Sequence, residues 1–424
     1  MGAFRVHGGR SLNGSIYIPS AKNAVLPIMA ASVLIEGEVR LLDTPQISDV
    51  KHMRQILEKL GVRTRLIGRT LVMDTAGISG WEMPEKLSKC LRSSIFLLGA
   101  LLSRFGRATV TYPGGCEIGL RPIDLHLHGL RALGVKITEE NGLIYCDGSK
   151  LRAGEILLDY PSVGATENVM LAAVSLHGTT VVHNAAREPE IVDLQRFLNH
   201  SGAAISGAGS ETITICGGKT LHPVVYRPIA DRIVAGTYLC AAAAAGGGVT
   251  IDNSPNHDLS AVFMKLRAMG CTIEESLGRC RLAAPERLTP VEISTCPYPG
   301  FPTDMQSQMT ALCCLADGVS RVTENVFENR FSFVPDLRRM GADIYVGGRI
   351  AVIRGGKRLS GASVQARDLR GGAAIVIAAL SARGESLVTG TEFIDRGYES
   401  MEKALTALGA EIVREKITRE DENG

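Results

Sequence analysis

Met269-Gly270-Cys271 decides the fold, because the step it makes, from a helix-like segment through glycine into a strand-like run, recurs along the whole chain. The same step stands at Leu60-Gly61-Val62, Leu133-Gly134-Val135, Ser201-Gly202-Ala203, Met340-Gly341-Ala342 and Leu408-Gly409-Ala410, with successive glycines 68 to 73 residues apart. A glycine just past a helix supplies the left-handed backbone that closes it. Acidic residues are expected to open several of the preceding helices, Asp49, Asp124, Asp193 and Asp258 among them, where the helix dipole favours them.

A second landmark keeps the same step. Ala-rich helical segments end in Gly and run directly into β-branched strands at Gly37-Glu38-Val39, Gly106-Arg107-Ala108-Thr109-Val110, Gly178-Thr179-Thr180-Val181 and Gly384-Glu385-Ser386-Leu387. Gly248 and Gly318 are expected in the equivalent places between them. Each unit then holds two helices and several short strands, and one helix is apolar nearly all round and therefore buried. Repetition at a fixed period marks an architecture of repeated units, here an α/β fold of six units divided into two domains of three. It carries no information about function.

Composition narrows the function classes. A chain of 424 residues favours two cores over one. Hydrophobic residues make up 45% but aromatic residues only 5%, so packing rests on Ala, Val, Leu and Ile. With 46 basic and 44 acidic residues the net charge is +2, and no overall field draws the protein to nucleic acid or an anionic membrane. Attraction for anions must be local. The opening Met1-Gly2-Ala3-Phe4-Arg5-Val6-His7 lacks the apolar core of a signal peptide, and the segment 233–249 is too short and weakly apolar to span a bilayer. The ten cysteines form no CxxC pair, so neither a disulfide framework nor a zinc site is expected, and a reducing, cytoplasmic setting fits.

The starts of the apolar helices carry polar residues: Lys22-Asn23, Arg92, Ser162-Val163-Gly164, Asp231-Arg232, Thr303-Asp304 and Asp368-Leu369-Arg370. Asp231, Ser162 and Thr303 can each be explained as caps. Lys22, Arg92, Arg232 and Arg370 cannot, since a cation at a helix N-terminus opposes the dipole; they point to an external anion. Pro113-Gly114-Gly115-Cys116 reads as a mobile loop carrying an exposed thiol, with Arg121 near enough to favour the thiolate and Glu117 working against it. Cys240, Cys313 and Cys314, in apolar helices, read as core. The alternation Asp124-Leu125-His126-Leu127-His128 allows a metal reading, but the start of an amphipathic helix fits the repeat better, and no metal is expected.

Several segments together resemble the UDP-N-acetylglucosamine 1-carboxyvinyltransferase family of enolpyruvyl transferases. They are Ala21-Lys22-Asn23-Ala24, Pro113-Gly114-Gly115-Cys116-Glu117-Ile118-Gly119, Arg121-Pro122-Ile123-Asp124-Leu125-His126, Ser162-Val163-Gly164-Ala165-Thr166, Asn184-Ala185-Ala186-Arg187-Glu188-Pro189-Glu190, Phe301-Pro302-Thr303-Asp304-Met305-Gln306, Glu324-Asn325-Val326-Phe327-Glu328-Asn329-Arg330-Phe331, Asp368-Leu369-Arg370 and Asp395-Arg396-Gly397-Tyr398-Glu399. The resemblance implies a two-domain, inside-out α/β fold of six βαβαββ units, one domain over 22–229 and the other over 1–21 plus 230–424, with the active site in the cleft between them. It implies transfer of the enolpyruvyl group of phosphoenolpyruvate to the 3′-hydroxyl of UDP-N-acetylglucosamine, by addition and elimination through a tetrahedral ketal, as the first committed step of peptidoglycan precursor synthesis.

By the same resemblance Cys116 is the acid that protonates the enol, Asp304 the base for the sugar hydroxyl, and Lys22 a catalytic cation. Lys22, Asn23, Arg121, Arg370 and Arg396 hold phosphoenolpyruvate. Asn23, Arg92, Arg121, Pro122, Ile123, Asp124, Leu125, Ser162, Val163, Gly164, Asp304 and Val326 hold the nucleotide sugar. No metal or organic cofactor, nucleic acid or membrane is implied, and the chain is expected to be a monomer or weak homo-oligomer. A thiol-directed epoxide such as fosfomycin is expected to alkylate Cys116. Departures from the family pattern fall at Pro19, Tyr160, Val234 and Tyr298. Two alternatives stand beside this reading: enolpyruvyl transfer to shikimate 3-phosphate, and a catalytically silent paralogue that binds the nucleotide sugar.

Overall fold

The structure, a computed structural model, describes residues 2–112 and 123–416. All six repeat glycines take the left-handed region, with φ of 105° at Gly61, 94° at Gly134, 109° at Gly202, 96° at Gly270, 93° at Gly341 and 100° at Gly409. The residue after each glycine donates its N–H back to a leucine carbonyl five residues earlier, at 3.0 to 3.1 Å, from Val62 to Leu57 through Ala410 to Leu405. This six-to-one closure satisfies a carbonyl left over at the helix end and brings an apolar residue onto that leucine.

The helix openings are less uniform. Asp124 is the first residue of the helix Asp124–Ala132, Asp49 the second of Ser48–Lys59, and Asp258 lies in the short turn before Ser260–Ala268. Asp193 does not open a helix. The helix Pro189–His200 begins at a proline, whose fixed φ suits that position, and Asp193 is buried where it accepts from Tyr226 Oη at 2.6 Å and Ile229 N at 3.1 Å. The second landmark holds with one correction. Gly37, Gly106, Gly178, Gly318 and Gly384 have positive φ, but in the remaining unit Gly246 and Gly247 make the turn, and Gly248 lies inside the strand Gly247–Asp252. A Cβ at Gly247 would stand 2.1 Å from the Leu12 carbonyl oxygen, so the strand pairing itself demands glycine there.

Each unit builds the same sheet. Glu155–Leu157 runs parallel to Gly178–His183, which is antiparallel to Thr212–Gly217, which pairs with Ile205–Ser206. Glu292–Ser294, Val319–Thr323, Ile350–Arg354 and Asp343–Gly347 repeat that order. Two of the sheets take a strand from the start of the chain. Strand β1 (Gly2–His7) lies antiparallel between Glu385–Thr389 and Glu411–Lys416, and β2 (Leu12–Tyr17) is parallel to Gly247–Asp252. Where Arg107–Thr111, Leu143–Asp147 and Lys136–Glu140 form a three-stranded sheet, Glu82 bridges Thr109 in the place of the fourth strand.

Each unit contributes one buried helix. These are α1 (Lys22–Ala31), α2 (Leu97–Phe105), α3 (Val163–Ala173), α4 (Arg232–Ala245), α5 (Gln306–Cys313) and α6 (Leu369–Ser381). Small residues let them approach closely. A Cβ on Gly99 of α2 would fall 2.2 Å from the Asn168 carbonyl of α3, and the Ala-rich α4 and α6 pack on each other and on α5. In α6 every residue but Ser381 is buried, and each enclosed Ile or Leu contributes about 1.5–3 kcal/mol. The described residues up to Pro19 and from Ala230 onward make one compact unit, and those from Ser20 to Ile229 make the other. No helix among the described residues is long and apolar enough to cross a membrane.

Candidate active site

In the unit containing α4, α5 and α6, charge gathers where the three helices begin. Asp368 caps α6 through Oδ1, accepting from Arg370 N at 3.0 Å and Gly371 N at 2.9 Å; a Cβ on Gly371 would lie 2.5 Å from the other carboxylate oxygen, Oδ2. The Arg370 side chain, 4% exposed, donates through Nη1 to Tyr398 Oη at 3.2 Å and through Nη2 to Asp304 Oδ2 at 3.0 Å. Burial works against its charge, but Tyr398, Asp304 and Asp231 outweigh that and hold its pKa above the ordinary arginine value. Asp304 sits in the turn Thr303–Met305 that leads into α5, and its other oxygen accepts from the buried Arg330 Nη2 at 2.8 Å. One partly exposed carboxylate thus faces two buried guanidinium groups.

The phenol of Tyr398 closes this cluster. It is buried among Thr237 Oγ1 of α4 at 2.8 Å, Gln308 Nε2 of α5 at 3.3 Å and Arg370 of α6. Burial raises its pKa, with Arg370 opposing, so it remains a neutral hydroxyl. Asp231 caps α4, accepting from Ile233 N and Val234 N at 2.9 Å, a contribution of about 1 kcal/mol. Arg232 is buried with its guanidinium 5.7 Å from the Tyr298 ring. Glu324, fully buried, accepts from Thr295 Oγ1 (2.9 Å), Thr303 Oγ1 (3.0 Å), Val326 N (2.8 Å) and Phe327 N (3.1 Å). Arg396 and Val326 are half-buried. Asp395, beside Arg396, is fixed by two bonds of 2.7 Å from Arg414.

The second unit has its own polar mouth. Lys22 opens α1 with Nζ 2.7 Å from Asp49 Oδ2, and Asp49 is 1% exposed. Asn23 follows, half-buried. Arg92, half-buried, opens the turn Arg92–Phe96 ahead of α2. Ser162 caps α3 at 3.4 Å from Ala165 N, and Ser162, Val163 and Gly164 are all partly exposed. Gly164 is obligatory, since a Cβ there would stand 2.8 Å from His126 Cε1. His126 is buried on Asp124–Ala132, where Asn168 Nδ2 donates to its Nδ1 at 2.7 Å, leaving the proton on Nε2. Burial, and then Arg92, lower its pKa from 6.5 to about 3. Ile123 is buried, Leu125 half-buried and Asp124 exposed.

Of the residues singled out from sequence, Asp304 and Arg370 are brought into contact, with Val326 and Arg396 in the same unit; Lys22, Asn23, Arg92, Ile123, Asp124, Leu125, Ser162, Val163 and Gly164 belong to the other. Cys116, Arg121 and Pro122 lie outside the described residues. One of the capping explanations needs correction. Thr303 is not a helix cap; its hydroxyl donates to Glu324. Lys22 and Arg370 do not demand an external anion on dipole grounds alone, because Asp49 and Asp304 answer their charge within the fold. Cys240, Cys313 and Cys314 are buried, and burial pushes the Cys313 thiol up to about 11. Among the described residues no three His, Cys, Asp or Glu side chains are grouped to hold a metal.

Sequence reasoning gave no place in the site to Asp49, His126, Glu324, Arg330 or Tyr398. The last four stand within the motif segments already quoted, so their neighbourhood was signalled although their contacts were not. At the departures, the Pro19 carbonyl accepts from Asp231 N at 3.0 Å, Tyr160 is exposed, Val234 receives the Asp231 cap and Tyr298 lies under Arg232.

Comparison with known proteins gives a consistent answer. Residues 6–405 match the family described as EPSP synthase (3-phosphoshikimate 1-carboxyvinyltransferase). UDP-N-acetylglucosamine 1-carboxyvinyltransferase 2 of Caldanaerobacter subterraneus subsp. tengcongensis is 51% identical over 98% of this chain and 100% of its own. The protein of the same name from Bacillus subtilis is 44% identical over 99% and 98%. Among solved structures, the enolpyruvyl transferase NikO from Streptomyces tendae superposes with a TM-score of 0.89 at 26% identity, covering 97% of this chain and 98% of that one. EPSP synthase from Acinetobacter baumannii, at 18% identity and a TM-score of 0.76 over 98% and 100%, shares the fold.

Proposed function

We infer, from the premise that the chain belongs to the EPSP synthase family of enolpyruvyl transferases, that it moves the enolpyruvyl group of phosphoenolpyruvate onto UDP-N-acetylglucosamine and releases phosphate, in peptidoglycan synthesis. The observation that carries this reading is the end-to-end identity with transferases named for that acceptor, 51% and 44%.

The chemistry asks for a proton at C3 of the enol and removal of one from the 3′-hydroxyl, so that a ketal forms; the ketal then gives up a proton from C3 as phosphate leaves, which restores the double bond. Cys116 supplies the first proton and Asp304 takes the second. Phosphoenolpyruvate is a compact anion of high charge, and preorganised cations are what stabilise it and the charge that develops on it. Lys22, Asn23, Arg121, Arg370 and Arg396 fill that role. Arg92, the segments 121–125 and 162–164, Asn23, Asp304 and Val326 take the nucleotide sugar. Gly164, partly exposed on the capped N-terminus of α3, suits a phosphate approaching backbone N–H groups. We place the domain division at 22–229 and 1–21 plus 230–424. The protein works in the cytoplasm as a monomer or weak homo-oligomer, without cofactor, nucleic acid or membrane.

Phosphate release from phosphoenolpyruvate, followed with each acceptor, tests the reading. Release with UDP-N-acetylglucosamine is expected. Release with shikimate 3-phosphate alone would assign the other family activity, and release with neither would leave a nucleotide-sugar-binding protein.

A further inference from the structure

We propose that Glu324 is a positioning residue that sets the catalytic base and the sugar contact in register with each other; the proposal rests on the functional reading above. Glu324 lies just beyond the strand Val319–Thr323, inside the fold and away from solvent. A buried carboxylate is costly unless its lone pairs are used, and here they are spent on two different segments. Oε2 receives the hydroxyl of Thr303, the residue before Asp304. Oε1 receives the backbone N–H groups of Val326 and Phe327 together with the hydroxyl of Thr295. Thr295 Oγ1 in turn accepts from Asn325 N at 2.8 Å, so the turn 325–327 is fixed from both sides.

The consequence is a rigid link between two places. Asp304 is one peptide from the Thr303 bond, and its carboxylate is held from the far side by Arg330 at 2.8 Å. Val326 is bonded to Glu324 directly. A base must lie within hydrogen-bond reach of the hydroxyl it deprotonates, and an ångström of misplacement is costly. Glu324 touches no substrate atom in this scheme; it fixes the distance between the group that takes the proton and the group that seats the sugar.

Steady-state kinetics on four variants test this. Glu324→Ala removes all four bonds, and KM for UDP-N-acetylglucosamine is expected to rise about tenfold and kcat to fall about tenfold, with KM for phosphoenolpyruvate within about twofold. Glu324→Gln keeps the acceptor for both backbone N–H groups and should bring both constants to within about threefold of wild type. Thr303→Val cuts only the branch to Asp304, and should lower kcat several-fold while leaving both KM values in place. Thr303→Ser should restore kcat. Parallel rises in both KM values would mark a merely structural residue and overturn the proposal, as would unchanged kinetics. If Glu324→Ala does not fold, an unchanged kcat in Thr303→Val overturns it alone. Wild-type protein inactive with UDP-N-acetylglucosamine would instead overturn the functional reading and this inference with it.

Discussion

Arg370 Nη2 lies 3.0 Å from Asp304 Oδ2, across 66 residues of chain, with the arginine 4% exposed. The pair joins a proposed anion-binding cation to a proposed base, so neither can be altered alone. Lysine keeps the charge but cannot reach Asp304 and Tyr398 together. Arg370→Lys is expected to raise KM for phosphoenolpyruvate by about tenfold or more and to lower kcat as well. An unchanged KM with a lower melting temperature would reduce Arg370 to a core ion.

Lys22 and Asp49 allow stability to be separated from activity. Lys22→Met removes the cation 2.7 Å from the buried Asp49 carboxylate and should cost about 3 kcal/mol. Adding Asp49→Leu removes that carboxylate and should restore most of the loss in urea denaturation. Activity should stay absent in both. Activity returning with stability would show that Lys22 serves the fold alone.

His126 predicts a pH dependence. Its pKa falls from 6.5 to about 3 in the folded chain, because burial excludes the charged ring. The unfolded chain therefore takes up a proton as pH drops through about 6.5, whereas the folded chain does so only near 3. The stability from this group is fully present above the upper value and is lost progressively below it, at up to about 1.4 kcal/mol per pH unit. Urea titrations of wild type and His126→Gln at pH 7 and pH 5 should differ in slope by about 2 kcal/mol over that interval. Equal slopes would refute the neutral, Asn168-bonded imidazole.

Thiol chemistry is expected to be selective. An epoxide analogue of phosphoenolpyruvate should inactivate the protein by alkylating Cys116. Cys240, Cys313 and Cys314, buried and with raised pKa values, should stay unmodified, and the exposed Cys90, Cys216 and Cys296 serve as internal controls for non-selective alkylation. Peptide mass spectrometry finding the adduct elsewhere, with activity lost, would remove Cys116 from its assigned role.

The six helix closures were legible because each is local: one glycine and a leucine five residues before its successor suffice. Asp193 was misread because an acid near a helix start looks like a cap unless the proline at 189 is recognised as the true opening. The cations at helix mouths were recognised, but their internal partners were not, since Asp49 and Asp304 are adjacent to them only after folding. Glu324 and Tyr398 escaped for the same reason. Nothing in their immediate sequence states what converges on a buried oxygen.

The position of β1 bears on how the protein is made. Its partners on both sides are residues 385–389 and 411–416, so during synthesis β1 has no sheet to join until those distant residues have emerged. Residues 20–229, by contrast, pair only among themselves in the described sheets, ending with Val225–Tyr226 beside Glu38–Leu41. During synthesis the inserted unit can reach its native pairing first, while an unpaired N-terminal segment waits in solution. That order of birth leaves both edges of β1 unpaired until its partners are made.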